Sequence, residues 1–381
     1  MTGRRRSRSA GQISRDRKLI SLFATVLLVA GGSLGMHLAY GRGPVDTVEH
    51  AVPVGSDERL TIQFTGDVML GDRLPDIADD LGYDWPLAGV APLLDADHVI
   101  VNAEAPFTTQ WEPYNRTKLF SYTVDPAAAH ALARAGVDTV GFANNHVMDS
   151  GPAGLADSLT HAAAAGLTAF GAGPNLAQAE RPLLLRSPLG DVGVVGLGEN
   201  FGRPAKADLA APGLVYFSHE TVQRGLDLAR NAGADWVIAY VHWGDNYLQV
   251  NDSQRYWARV LVEAGYDMVI GAGSHIAQPV EFIDGVPVFY GLGNFVFGSR
   301  GRFESFGVPG YGLAVTVGIT RNAPATLSVR CVVSDNTIVN YQPIPCTPEQ
   351  AKTVLPAYHP RLTVWGNVGW MSCGCLIRPR G

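Results

Sequence analysis

Five apolar stretches of this chain each end in a polar residue that can bind a metal ion or transfer a proton. They are LTIQF before Asp67, HVIV before Glu104, DTVGFA before Asn145 and His146, DWVIAYV before His242, and DMVIGAGS before His275. Short β-rich runs that alternate with helical stretches predict a sheet with helical crossovers, and such sheets bind ligands beyond the carboxyl ends of their strands. The five strand ends therefore predict one active site.

Helical patterns separate these apolar runs, and antiparallel strands are expected to follow them. The helical patterns lie near residues 87–94, 126–135, 154–165, 221–232 and 253–264. After them, strand-like runs at 280–283 and 286–290 flank Asp284-Gly285, a dipeptide typical of hairpin turns. Further strand patterns follow at 313–319 and 325–333. We expect an α/β layered sandwich with mixed strand direction.

Charge is distributed unevenly along the 381 residues. The first 18 residues hold seven of the 29 basic residues and one of the 35 acidic residues. The remainder therefore has 22 basic and 34 acidic residues and a net charge of -12. With 46% apolar and 17% charged residues, the chain has the composition of a globular protein. Because the main domain is acidic, we expect no nucleic-acid partner.

The basic cluster is followed by an apolar stretch at residues 19–40 that contains no Asp, Glu, Lys or Arg. About 20 apolar residues suffice to cross a bilayer as a helix, and basic flanks stay in the cytoplasm. We therefore expect a basic cytoplasmic tail at 1–18, a single transmembrane helix at 19–40, and an extracytoplasmic remainder at the cell membrane. A cleaved secretory signal is the alternative, because Ala39 and Gly41 are small residues of the kind that flank a cleavage site.

Three further segments complete the predicted organisation. Residues 41–58 are interpreted as a linker, 59–345 as the folded domain, and 346–381 as a C-terminal tail that either packs on the domain or stays mobile. A disulfide between Cys331 and Cys346 fits an oxidising compartment. The close pair Cys373-Gly374-Cys375 could be redox-active, metal-binding or incidental.

Six short motifs occur in an order that resembles one protein family. They are TGDVMLG at 65–71, NAE at 102–104, ANNH at 143–146 with Asp149 and Gly151, HWG at 242–244, QP at 278–279 and GLGNF at 291–295. The chain resembles, over roughly residues 60–320, the CapA family of capsule or poly-γ-glutamate synthesis proteins, which are related to calcineurin-like metallophosphatases. The resemblance implies a four-layer αββα sandwich with a metal site formed by loops at the strand ends.

The resemblance also implies roles for individual residues. Carried over position by position, the metal-facing residues are Asp67, Glu104, Asn145, His146, His242 and His275. Carboxylate, amide and imidazole groups together suit Mn, Fe or Zn, and two such ions would generate hydroxide from water. His146 and His242 are in addition candidate acid/base groups. The candidate substrate-binding residues are Lys118, Asn144 and Asn294, which would face an anionic envelope polymer.

Three departures from the family pattern keep alternatives open. The family commonly has His-Pro-His where this chain has Gly273-Ser274-His275, and a Glu where this chain has Asp245-Asn246. Met69 stands where metallophosphatases proper have a histidine. One metal ion, two or none therefore remain possible. The function is accordingly either a metal-dependent hydrolase or transferase, or a noncatalytic component of a polymer synthesis or export complex.

Overall fold

The structure is a computed structural model that describes residues 46–54, 59–199, 201–202, 205–320 and 323–374. The predicted cytoplasmic tail and transmembrane helix, residues 1–40, lie outside the described residues. Within the described ranges, every helix is too short or too polar to cross a bilayer.

Two mixed β-sheets form the middle of the fold. The first sheet has the strand order β1 (Val48–Ala51), β7 (Leu183–Arg186), β8 (Val192–Gly198), β10 (Trp236–His242), β11 (Met268–Ala272), β13 (Val286–Phe289) and β12 (Val280–Ile283). Strands β8, β10, β11 and β13 are parallel, whereas β7 and β12 run antiparallel to their neighbours β8 and β13. The hairpin predicted around Asp284-Gly285 is therefore confirmed.

The second sheet combines a parallel half with an antiparallel half. Its order is β18 (Thr363–Trp365), β19 (Val368–Ser372), β16 (Thr326–Val333), β15 (Tyr311–Thr320), β2 (Arg59–Met69), β3 (His98–Ala103), β4 (Thr139–Gly141) and β5 (Thr168–Phe170). In addition, β14 (Asn294–Phe297) pairs with β2, and β17 (Ile344–Pro345) pairs with β16. Strands β6 (Ala172–Gly173) and β9 (Gly213–Leu214) form a separate small ladder. The expectation of an α/β fold with mixed sheets is confirmed.

Helices connect the strands and cover the outer faces of the sheets. They are α1 (Leu74–Leu81), α2 (Asp84–Leu87), α3 (Ala127–Arg134), α4 (Gly151–Ala164), α5 (Leu176–Ala179), α6 (His219–Asn231), α7 (Asp252–Ala264), α8 (Arg302–Phe306), α9 (Asn336–Val339) and α10 (Pro348–Tyr358). Capping boxes at Ser218 and Asn251 begin α6 and α7, close to the predicted positions. The helix predicted at 87–94 is instead the end of α2 and a 3₁₀ turn at Ala91–Leu93, because Pro92 has no amide hydrogen for a continuous helix.

Three apolar clusters hold these layers together. One joins the facing sides of the two sheets and includes Phe64 of β2 and Ile270 of β11. A second packs the outer side of the second sheet against α3 and α4, with Leu155 as an example. A third packs the outer side of the first sheet against α6 and α7, as at Leu261. The layers therefore run helix, sheet, sheet, helix.

Regular structure extends beyond the segment predicted as the folded domain. Strand β1 lies in the stretch interpreted as a linker and pairs with β7. After residue 345, α10 buries Ala351 and Leu355, and β19 extends the second sheet. Cys331 and Cys346 form the expected disulfide, with their Cα atoms 5.5 Å apart, and Cys373 is also disulfide-bonded. The terminal segments thus pack on the domain because each supplies apolar groups or a covalent bond.

Candidate metal centre at the strand ends

The polar residues predicted at the strand ends converge between the two sheets. Asp67 lies near the end of β2 and Glu104 directly after β3, both in the second sheet, whereas His242 ends β10 in the first. The amide nitrogen of Gly273, which follows β11, donates to Asp67 Oδ1 and Oδ2 at 3.0 and 3.2 Å. We call the group Asp67, Glu104, Asn145, His146, His242 and His275 the strand-end centre.

Glu104 lies in the middle of the strand-end centre and is fully buried. Its Oε1 is 3.9 Å from His146 Nε2, 3.9 Å from His242 Nε2 and 3.8 Å from His275 Nε2. Neither carboxylate oxygen has a hydrogen-bond partner among the described residues. Burial, and secondarily the charge of Asp67, raises the pKa of Glu104 well above its usual range. A buried carboxyl that is left unpaired in this way is costly unless something else meets it.

The spacing around Glu104 fits a divalent cation. Bonds of about 2.0 to 2.2 Å from a metal to nitrogen and oxygen ligands can span gaps just under 4 Å that are too long for hydrogen bonds. Asp67, Glu104 and His275 each offer a ligand atom within 4.8 Å of the other two. Asn145 adds a buried Oδ1 that also lacks a hydrogen-bond partner within the described part of the chain. The donor set is therefore compatible with Mn, Fe or Zn.

Asp67 is prepared to carry negative charge, in contrast to Glu104. Its Oδ1 accepts a hydrogen bond from Asn102 Nδ2 at 2.8 Å, and its Oδ2 is 3.4 Å from His275 Nδ1. Burial opposes ionisation of Asp67, but the hydrogen bond and charge of His275 outweigh it and lower the pKa of the carboxyl. The centre thus places a carboxyl with a lowered pKa beside one with a raised pKa.

His146 is oriented by Asp149, a carboxylate that was quoted in the ANNH motif but not assigned a role. His146 Nδ1 is 2.5 Å from Asp149 Oδ2, and Lys118 Nζ pairs with Asp149 Oδ1 at 2.5 Å. Lys118 Nζ also lies 3.1 Å from His146 Nδ1, but that nitrogen cannot accept from lysine while it donates to the carboxylate. Burial lowers the pKa of His146, so the neutral ring directs its Nε2 lone pair toward Glu104.

His242 is held in the opposite tautomer by Asn102. The Oδ1 of Asn102 accepts from Asn144 Nδ2 at 3.1 Å, which fixes the orientation of the amide. Asn102 Nδ2 then lies 3.1 Å from His242 Nδ1 and donates to it, so Nε2 carries the hydrogen and faces Glu104. Burial lowers the pKa of His242 to about 3. In this arrangement His242 offers the centre a hydrogen-bond donor rather than a metal-ligating lone pair.

The loop after β11 explains one departure from the family pattern. A Cβ added at Gly273 would lie 2.7 Å from His242 Nε2, and Gly273 has a φ of 97°. An imidazole-bearing residue is therefore excluded at this position while His242 stays where it is. His275, two residues later, adopts a φ of 60° and is held by Asn294 Oδ1, 3.0 Å from its Nδ1.

The predicted substrate-binding residues divide into a buried pair and an open one. Asn144 and Asn294 are buried and make hydrogen bonds inside the protein, to Ala103 and His275 among others, so substrate contact by either stays a prediction. Lys118 lines an open groove with Asn145, and the groove has a volume of about 680 Å³ that includes the solvent at its mouth. Lys118 is thus the predicted residue best placed to meet a ligand.

Comparison with known proteins identifies the family. The model of the bacterial capsule synthesis protein family PGA_cap matches residues 61–299, and the chain belongs to this family. The resemblance inferred from the six motifs is thereby confirmed.

Two relatives and one solved structure are similar to the chain. The "PGA biosynthesis protein CapA" of Bacillus subtilis is 31% identical over 245 residues, and the match spans 64% of this chain and 64% of that protein's length. A "probable polyglutamine synthesis accessory protein" of Mycobacterium tuberculosis is 30% identical over 293 residues, which cover 72% of this chain and 76% of the relative. NAD nucleotidase of Haemophilus influenzae overlaps 78% of this chain and 55% of that chain at a TM-score of 0.43 and 12% identity, values too low to support an argument.

Proposed function

We propose that this chain is a membrane-anchored, extracytoplasmic protein of capsule or poly-γ-glutamate-type polymer biosynthesis, and that its strand-end centre makes it a metal-dependent hydrolase. The observation that carries the proposal is the buried carboxyl of Glu104, which has three imidazole nitrogens within 3.9 Å and no hydrogen-bond partner among the residues that the structure describes. Such an arrangement is costly for a protein without a cation and favourable for one with it.

The roles of the residues follow from their contacts. One or two divalent ions, held by Asp67, Glu104, His146, His275 and Asn145, would supply Lewis acidity and an activated water when bound. His242, a neutral ring with its hydrogen on Nε2, would donate a hydrogen bond to the substrate at the centre. Asp149, buried behind His146, is the positioning residue that keeps the His146 Nε2 lone pair directed inward.

The proposed substrate is an anionic envelope polymer cleaved at an amide or phosphoester bond. The net charge of -12 beyond residue 18 makes the surface a poor general binder of polyanions, so binding requires local positive charge. Lys118 and the bound cation provide it beside the groove. We expect Lys118→Ala to weaken polymer binding and Lys118→Arg to retain part of it, whereas unchanged binding by Lys118→Ala would remove this role.

A noncatalytic scaffold is the second candidate function. It is favoured by Gly273, which stands where the family commonly places an imidazole, and by the pairing of Lys118 with Asp149, which neutralises the nearest positive charge. A scaffold of a polymer synthesis or export complex would keep the fold and the anchor without turnover.

Metal analysis of the full-length chain, purified in detergent, separates these proposals. Wild-type protein offered manganese and zinc should hold one or two equivalents more than Asp67→Asn and His146→Ala, and the circular dichroism of both variants should stay native. His130→Ala, an exposed histidine on α3, is the matched control and should bind as wild type. Metal-loaded wild type should then release short fragments from poly-γ-glutamate or a phosphoester polymer.

Each outcome has a distinct meaning. A folded wild type that takes up no metal would refute the hydrolase proposal and leave the scaffold. Stoichiometric metal at the strand-end centre without cleavage of either polymer class would reject the proposed substrates but keep the metal centre.

A further inference from the structure

A second group of ligand-type side chains lies at the opposite end of the strands from the strand-end centre. His50 belongs to β1, His98 is the first residue of β3, and Asp138 directly precedes β4. Each offers one ligand atom, and these atoms lie within 4.8 Å of one another. We call these residues the edge cluster. Since β3 rises about 3.3 Å per residue from His98 to its other end beside Glu104, roughly 20 Å separates the two groups.

The hydrogen bonds of His98 leave one of its ring nitrogens free to bind a metal ion. It is fully buried, and its Nε2 is 2.9 Å from Thr139 Oγ1. Its Nδ1 is also buried and has no hydrogen-bond partner among the residues that the structure describes. With the hydrogen on Nε2 directed to Thr139, the Nδ1 lone pair is unused. Ligating histidines are usually fixed in this way, through a hydrogen bond from the other ring nitrogen.

The two other members are also held in place. Asp138 Oδ2 accepts a hydrogen bond from the Val99 amide at 2.8 Å, which orients the carboxylate. The His50 ring packs edge-on against His98 with their centroids 4.5 Å apart, and His50 Nδ1 is 3.5 Å from Thr168 Oγ1 of β5. Burial, with a smaller effect from His50, lowers the pKa of His98 to about 3, so its ring is neutral at physiological pH.

We propose that the edge cluster is a second divalent-cation site, of the zinc type, in which His50, His98 and Asp138 are the protein ligands. Two imidazoles and one carboxylate are a donor set that zinc accepts, with a fourth position left for water. The site is independent of the function proposed above, because it shares no residue with the strand-end centre and His50 precedes the family match at 61–299.

The location of the edge cluster gives the ion a structural role. His50 lies on β1, at the edge of the first sheet, whereas His98 and Asp138 belong to the second sheet and its connections. Strand β1 pairs with β7 alone, so it has one strand neighbour within the described ranges. A bound ion would therefore fasten β1 to the second sheet and add a link that backbone pairing does not provide.

Zinc titration of the full-length chain tests this site. The protein is purified in detergent, stripped with EDTA and titrated with zinc chloride, and the variants are His50→Ala and His130→Ala as the exposed control. Wild type and His130→Ala should each bind one equivalent more than His50→Ala. At a zinc concentration roughly 100-fold above Kd, Tm should rise by about 5 °C more in wild type than in His50→Ala. Hydrogen exchange of the Val48–Ala51 amides should slow only where that equivalent is bound.

The difference in zinc stoichiometry between wild type and His50→Ala does not depend on the strand-end centre, because both proteins have an intact strand-end centre. Asp67→Asn should retain the extra equivalent, which separates failure of this proposal from failure of the hydrolase proposal. Equal stoichiometry, Tm rise and exchange in wild type and His50→Ala would overturn the edge site. If His50→Ala does not fold, His50→Gln replaces it with the same expectations.

Discussion

The strand-end centre and the apolar interior lie between the same two sheets, yet they contribute to the protein in opposite ways. In the interior, Leu60, Ile62 and Phe64 of β2 are fully buried against side chains of the facing sheet. A few residues along the same strand, Asp67 is equally buried, and the carboxylate oxygens of its neighbour Glu104 have no hydrogen-bond partner among the described residues. Burial of the apolar side chains of the interior stabilises the fold, whereas burial of the two carboxyl groups destabilises it.

The difference predicts that stability and the proposed cation binding are separable along one strand. Substitutions in the apolar interior should lower the free energy of unfolding and leave the metal centre intact in the molecules that fold. Substitutions that remove charge at the strand-end centre should abolish its metal binding and leave the free energy of unfolding nearly unchanged. Urea unfolding of the metal-free protein measures the first effect, and metal content measures the second.

The largest effect is expected at Gly66, where the two regions meet. A Cβ at this position would lie 1.8 Å from the carbonyl oxygen of Gly293, which accepts the hydrogen bond from Asp67 N. Because backbone must move to admit even alanine, Gly66→Ala should reduce the free energy of unfolding by about 4 kcal/mol or more, and metal content with it. Gly374→Ala, where the new Cβ meets nothing within 4 Å, is the control and should be near neutral.

Phe64→Ala should follow, with effects confined to stability. Phe64 is fully buried and its ring centroid is 5.6 Å from that of Tyr240. Removing a buried aromatic ring leaves a cavity and should cost about 3 to 5 kcal/mol. Folded Phe64→Ala should still hold the wild-type equivalents of metal. Loss of metal from the folded variant would contradict the separation of the two regions.

The disulfide between Cys331 and Cys346 should contribute slightly less. Both cysteines belong to the apolar interior, and the bond closes a loop with a sequence separation of 15. Replacing both by serine should lower stability by about 3 kcal/mol, mainly by freeing the unfolded chain. Under reducing conditions the wild type and the double variant should converge, and a persisting gap would assign the effect to packing instead.

Acid should destabilise the metal-free protein through His242. An unfolded histidine takes up a proton near pH 6.5, whereas burial holds the folded pKa of His242 at about 3. The stability contributed by the neutral ring is therefore present above pH 6.5 and lost as pH falls. Between pH 6 and pH 4.5, wild type should lose about 2 kcal/mol more than His242→Asn. Parallel pH profiles for the two proteins would show that His242 is not buried in its neutral form.

The smallest change in stability is expected for Glu104→Gln. The substitution keeps the shape of the side chain and removes a carboxyl that has no hydrogen-bond partner in the described part of the chain. Metal-free stability should therefore change by about 1 kcal/mol or less, or rise. The metal of the strand-end centre should nevertheless be lost. A destabilisation as large as that of Phe64→Ala would mean that Glu104 supports the fold by itself.

Periodicity and caps made much of the fold predictable from sequence. The helices α6 and α7 begin at capping boxes close to the predicted bounds, and Asp284-Gly285 forms the expected turn between β12 and β13. Convergence of polar strand ends was predictable because parallel strands present their carboxyl ends at one edge. The residue pattern does not reveal that the five strands are divided between two sheets.

Other features depended on contacts that no local pattern encodes. The orienting role of Asp149 follows from its distance to His146 and Lys118, although its place three residues after the ANNH motif was a usable signal. The role of Asn102 depends on a hydrogen bond to His242, 140 residues away. Strand β1 is four residues long and is held by its pairing with β7. So short a sequence has no pattern that predicts this pairing.

The hydrogen bond from Gly273 N to Asp67 links the loop after β11 of the first sheet to β2 of the second sheet. The proposed ligands come from both sheets. The affinity for a cation would therefore depend on how the two sheets are aligned. A slip of one sheet past the other by a single residue, about 3.3 Å, would pull the ligands beyond bonding reach. By reciprocity, a bound cation would stabilise the aligned sheets against that slip. A mechanical force that shifts the sheets would therefore weaken cation binding.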